Sequence, residues 1–285
     1  MRGLETSALS YSSVRSDLAH HPAGPDGGLI GPEDPPPFTI YNADGAAPIL
    51  LVCDHASRTI PLGLDQLGLE PWALERHIAY DIGAANVTTG LADRLGATAV
   101  LAGYSRLLID CNRQPGDPHS ILEVSDGVPI PGNQNLTSEQ QEARAEAFHW
   151  PYHHAIDHVF TRLRREGPEP VLFSIHSFTP TLGGEDRNWD ISVLWNRDPR
   201  MAVPLIEYLR QRDRLRVGDN EPYSGKELAY TINLHAGGGG LVNCAVDIRQ
   251  DHCDSPDEVE RCADLLAGAL ERVMAHGNLH RVEMF

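Results

Sequence analysis

Residues 49–61 read ILLVCDHASRTIP, and this stretch decides the fold. Its first half, Ile49 to Cys53, is apolar with no polar alternation, the pattern of a strand buried on both faces. The run stops at Asp54 and His55 and gives way to a turn of small residues. Ligands of open α/β sheets bind outside the carboxyl ends of the strands, so these two polar residues stand where substrate is expected. Residues 170–180, PVLFSIHSFTP, repeat the plan and end an apolar run in His176. Two strands thus bring one imidazole each to the same sheet edge.

Around them, strand-like and helix-like patterns alternate from Phe38 onward. The alternation predicts an α/β fold in which helices cover a mainly parallel or mixed central sheet. Residues 38–285 read as one such domain, and residues 1–37, rich in Gly, Pro, Ser and Asp, as a flexible or surface-hugging arm. Helices are expected over residues 70–78, from near Asp81 to a stop at Gly96, from Thr137 or Ser138 past Trp150, from Pro151 to about 165, and over 199–211 and 256–276. Further strands are expected over 98–101, 106–111, 190–195 and 242–248. Residues 114–135 show no period, and so long a loop is expected to be a lid or a pocket wall.

The chain carries 40 acidic against 23 basic residues, a formal net charge of −17. That balance disfavours nucleic acid and anionic membrane as partners. An anionic substrate would need locally placed arginine. No apolar run approaches the roughly 18 residues of a membrane span and no signal-peptide pattern is seen, so a cytoplasmic protein is expected. Cysteine usage agrees, because Cys53, Cys111 and Cys244 lie in or beside apolar strand-like segments, as buried thiols do. Cys244, Cys253 and Cys262, with His252, match no usual zinc spacing.

His55, Asp81, His176 and Asp247 all stand where regular elements meet loops. Catalytic zinc commonly takes two histidines and a carboxylate and leaves a place for water. His55 and His176 offer nitrogens, Asp81 an oxygen, and Asp247 remains as a general base. Plainer roles are open: Asp81 can cap its own helix, and Asp54 competes as a ligand. Strand alternation turns Asp54 away from His55 and favours a role in orienting a histidine. His77, His149, His153 and His154 fall in helical segments, where surface or packing roles are the default, His153 of PYHH remaining a candidate. Arg106 and Arg113 flank the apolar run of SRLLIDCNR, and Arg249 follows Asp247 by two residues. A guanidinium grips a carboxylate with two prongs, which makes these three the candidate substrate-binding residues, Arg106 and Arg249 foremost. They can equally pair with Asp110 or Asp251 and brace the fold.

CDHASRTIP, YDIGA, SRLLIDCNR, PYHHAID, SIHSFTP and VDIRQD occur in this order, and together they resemble the N-formylglutamate amidohydrolase family. The likeness runs over nearly all of the chain from Phe38. It implies a three-layer phosphorylase/hydrolase-like fold of the zinc-exopeptidase kind, with one zinc ion on His55, Asp81 and His176. It implies hydrolysis of a small anionic N-acyl amino acid, N-formyl-L-glutamate first, to formate and L-glutamate. The zinc muramoyl-alanine amidases are a more distant likeness, with a strand-end His, an acidic residue before a helix and a later SIH motif. Asp247, standing where many relatives are expected to carry glutamate, would take a proton from water and pass it to the leaving amine. His235, beside the glycine run Gly237 to Gly240, or Arg106 would donate to the oxyanion, and His235 reads equally as a satisfied loop residue. The rivals are another zinc deacylase, carboxypeptidase or peptidoglycan amidase, and a non-catalytic small-molecule binding protein on the same scaffold.

Overall fold

The computed structural model describes residues 28–212 and 215–285. Most of the arm expected over residues 1–37 lies outside the described residues. Its last part, from Gly28, is tied to the domain: Tyr104 donates to the Pro35 carbonyl at 2.5 Å, and the Leu62 N–H donates to Asp34 Oδ1 at 2.9 Å.

Seven strands make one sheet: β1 (Phe38–Tyr41), β2 (Ile49–Cys53), β3 (Thr98–Ala102), β4 (Val171–Phe178), β5 (Ile191–Leu194), β6 (Val217–Asp219) and β7 (Asn243–Arg249). Their spatial order is β1-β3-β2-β4-β7-β5-β6. β3, β2, β4 and β7 run parallel, while β1 and β5 pair antiparallel to their inner neighbours and β6 runs parallel to β5. The sheet is mixed, and the four central strands end at one edge. The helices are α1 (Pro71–Leu74), α2 (Ala84–Leu95), α3 (Ser138–Arg144), α4 (Trp150–Glu166), α5 (Pro199–Arg210), α6 (Tyr230–His235) and α7 (Pro256–Met274).

The missing polar alternation in β2 follows from the layers. Ile49, Leu51 and Cys53 pack into a core with Val87 and Leu91 of α2, Leu205 of α5 and Leu266 of α7. Leu50 and Val52 point the other way, into a core with Tyr152 and Ile156 of α4 and Ile232 of α6. Every residue of β2 is buried, so neither face tolerates a polar side chain.

A third core of Leu67, Tyr104, Leu107, Leu108, Ile109, Ile130 and Phe148 lies under the loops. It explains one correction. Residues 106–111 are an irregular turn rather than a strand, held by Leu108 N donating to Ser105 O and Asp110 N donating to Ser120 O. An apolar run buried under loops reads like a buried strand, because burial alone sets the pattern. Two further corrections concern helices. The segment over 70–78 is helical only at α1, and α2 begins later than expected, at Ala84.

The N-cap of α2 is Gly83, with φ of 81° and no side-chain cap, so Asp81 does not cap this helix. A side chain at Gly83 would run into the Cys253 carbonyl, and the positive φ is strained for any other residue. This close approach turns the chain so that Asp81, two residues earlier, is left free to face the sheet edge.

Candidate active site

β2 and β4 set the floor of the site. Val52 pairs with Ser174, and β4 continues past the end of β2 to His176. His176 pairs in register with Asp247 of β7, so the two side chains leave the sheet together. The chain after β2 turns at Asp54 and His55, and Asp81 is fixed to this turn by its N–H donating to the His55 carbonyl at 3.0 Å. The result is one buried group in which a donor atom from each of His55, Asp81 and His176 lies within 4.8 Å of the others.

Asp81 Oδ2 is the meeting point, 3.2 Å from His55 Nδ1 and 2.9 Å from His176 Nδ1. The far nitrogen of each ring meets another carboxylate: His55 Nε2 is 2.8 Å from Asp110 Oδ1, and His176 Nε2 is 3.0 Å from Asp54 Oδ2. Carboxylates placed there hold an Nε2–H and turn Nδ1 inward, the arrangement that orients metal-binding histidines. Asp54 is fixed in turn by the Tyr152 hydroxyl at 2.9 Å and the Thr231 hydroxyl at 2.7 Å. Asp110 is held by Arg106 Nη2 at 2.5 Å and by the Asn112 N–H at 2.8 Å.

Burial alone would drive both imidazoles neutral, but the carboxylates outweigh it. His176 is pushed up to about 10 by its bonds to Asp54 and Asp81, and His55 is raised by Asp110 and Asp81. The carboxyls of Asp54, Asp81 and Asp110 are held below the usual range by the same contacts, against the effect of burial. Their three negative charges are balanced by Arg106 together with two imidazolium rings. One divalent cation with two neutral rings gives the same balance. The donor set, its burial and its charge therefore fit a divalent metal ion.

A pocket opens over this group, lined among others by His77, Asn112, Arg113, Arg187, Tyr223 and Asp247. Asp247 is the exception to the saturated hydrogen bonding below it: its buried Oδ1 has no partner among the described residues. Burial pushes its carboxyl up to about 7. A carboxylate with a free lone pair on a residue that lines the pocket suits a general base.

The other residues singled out from sequence divide. Arg106 and Arg113 line the pocket, but Arg106 is engaged by Asp110 and lies 3.5 Å from Asp81. Arg249 is outside the pocket lining and is held by Asp251 at 2.7 Å and Asp190 at 2.9 Å, a bracing role. His235 also lies outside it. Its ring sits between Asp157 and His153, each at 2.7 Å, so it is in no position to donate to an oxyanion in this pocket. None of residues 114–135 lines the pocket, which corrects the expected lid or wall. Sequence reading missed Asp110, Tyr152 and Thr231 as supports and Arg187 as a lining residue. The aspartate in LLIDC and the tyrosine in PYHH were visible, but nothing local shows which buried polar group they meet.

The profile of the N-formylglutamate amidohydrolase family matches residues 47–253. The chain belongs to this family. Membership makes it an amidohydrolase, and the match spans every residue placed in the site above. Among solved structures, a gene product of Agrobacterium tumefaciens is 32% identical, with a TM-score of 0.84 over 87% of this chain and 98% of its own. An N-formylglutamate amidohydrolase from Ralstonia eutropha JMP134 is 18% identical, with a TM-score of 0.67 over 84% of this chain and 97% of its own. That second likeness is one of fold. No curated protein matches the chain.

Proposed function

We propose that this amidohydrolase cleaves the amide of a small N-acyl amino acid, N-formyl-L-glutamate foremost, releasing formate and L-glutamate. The observation that carries the reading is the convergence of His55, Asp81 and His176 in one pocket with Asp247, whose Oδ1 has no partner among the described residues. His55, Asp81 and His176 would hold a single zinc ion. When bound, such an ion polarises the acyl carbonyl and makes water acidic enough to attack near neutral pH.

The chain's own residues supply the rest. Asp54 and Asp110 hold the two rings in the tautomer that presents Nδ1. Asp247 Oδ1 removes the proton from the attacking water and returns it to the leaving nitrogen, so that the amine departs neutral. Arg113, whose Nη1 among the described residues donates only to the Asn112 carbonyl at 2.8 Å, offers positive charge to an anionic substrate within an acidic protein. The test is an assay of purified protein of known metal content against a panel of N-formyl and N-acetyl amino acids. Release of formate from N-formylglutamate in preference to neutral members is expected. Turnover of no member would remove the reading.

A further inference from the structure

We propose that Arg187 is the residue that reads the side-chain carboxylate of the substrate; this rests on the function proposed above. Arg187 follows the hairpin of Thr181–Leu182 and Glu185–Asp186, whose tip extends from the end of β4 beyond His176. Both Arg187 and Leu182 line the pocket. Among the described residues Arg187 has no carboxylate within ion-pair distance, in contrast to Arg106 and Arg249. An arginine that is already neutralised has little to offer a second anion, whereas an uncommitted one in a pocket has.

Arg187 is nonetheless held in place. Its guanidinium lies over the ring of Tyr223, 4.8 Å from the centroid, and 5.6 Å from that of Phe178. Nη2 donates to the Tyr223 hydroxyl. The backbone is fixed as well, by the Arg187 N–H donating to the Pro180 carbonyl at 2.8 Å and by Arg249 reaching the carbonyls of Arg187 and Trp189. Stacking on aromatic faces leaves the guanidinium edge for a planar anion, so the group is both positioned and unspent.

Of the three arginines lining the pocket, Arg113 and Arg187 have no carboxylate within ion-pair distance among the described residues, which suits a substrate with two carboxylates, and their places differ. Arg113 adjoins Asn112, whose amide nitrogen is 3.5 Å from His176 Nε2, close to the floor. The carbon bearing the α-carboxylate is bonded to the scissile nitrogen, so that carboxylate belongs near the floor and near Arg113. The side-chain carboxylate is left to Arg187, which lines the same pocket at the foot of the exposed hairpin.

The test compares wild type, R187Q and R187K on N-formylglutamate and N-formylglutamine, alongside calorimetric titration with glutarate. The ratio of kcat/KM for the acid over the amide should fall roughly 10- to 100-fold in R187Q, mainly through KM, the usual worth of a charged hydrogen bond. R187K should recover part of the loss. Glutarate binding should weaken at least about tenfold in R187Q, a readout that stands even if no acyl amino acid is turned over. An unchanged acid-to-amide ratio, or glutarate binding equal in both proteins or absent from wild type, would overturn the assignment.

Discussion

His55 and His176 stand at strand ends with a carboxylate against each ring nitrogen, whereas His149 and His153 lie at the start of α4 and hold backbone carbonyls. Both groups are buried, and both contain rings in contact: centroids are 5.0 Å apart in the first pair and 4.2 Å in the second. Their electrostatics are opposite. His176 is pushed up to about 10 by its aspartates, while burial drives His153 down to about 3 and His149 to about 4. Burial and histidine count therefore do not locate the site. What separates the groups is carboxylates on the outer nitrogens and a pocket above the inner ones.

The largest test of that contrast is turnover. His55→Ala or His176→Ala should reduce hydrolysis to background, while His153→Ala should retain most of it if the fold survives. Comparable losses at all three would erase the distinction. Asp247→Asn comes next: it keeps the shape and removes the basic lone pair, so kcat should fall roughly 100-fold or more with metal content unchanged. Near-normal turnover would rule Asp247 out as the base. Asp54→Asn and Asp110→Asn should weaken zinc affinity by about 10- to 100-fold each, measured against a competing chelator.

The smallest effect lies in the second group and concerns stability. His149 has a folded pKa of about 4, below its ordinary value near 6.5, so the unfolded chain takes up a proton first as pH falls. The stability this ring contributes is present above pH 6.5 and lost as pH falls toward 4, on the order of 2 kcal/mol by pH 5. Urea midpoints at pH 7 and 5 should thus differ less in His149→Gln than in wild type. Equal pH dependence would show that the ring is not held neutral.

How much of this was legible varies by residue. Asp54, His55 and His176 could be read because an unbroken apolar run ending in a polar pair states both burial and edge. Asp81 could be placed as a ligand, but its release from capping depends on Gly83 meeting Cys253, a contact across 170 positions of chain. Arg106 stands out because it flanks the apolar run of SRLLIDCNR and Arg249 because it follows Asp247 by two residues, whereas nothing local marks Arg187. Their neutralisation by Asp110, Asp190 and Asp251 is a matter of tertiary pairing. His235 reads equally as an oxyanion donor and as a satisfied loop residue, and the partners that decide it, Asp157 and His153, come from α4, far away in sequence.

Zinc stoichiometry tests the central claim most directly. Elemental analysis after dialysis against zinc should give one ion per wild-type chain, one in His153→Ala, and strong depletion in His55→Ala, Asp81→Ala and His176→Ala. Full zinc retention in all three ligand variants, or depletion in His153→Ala alone, would contradict the account.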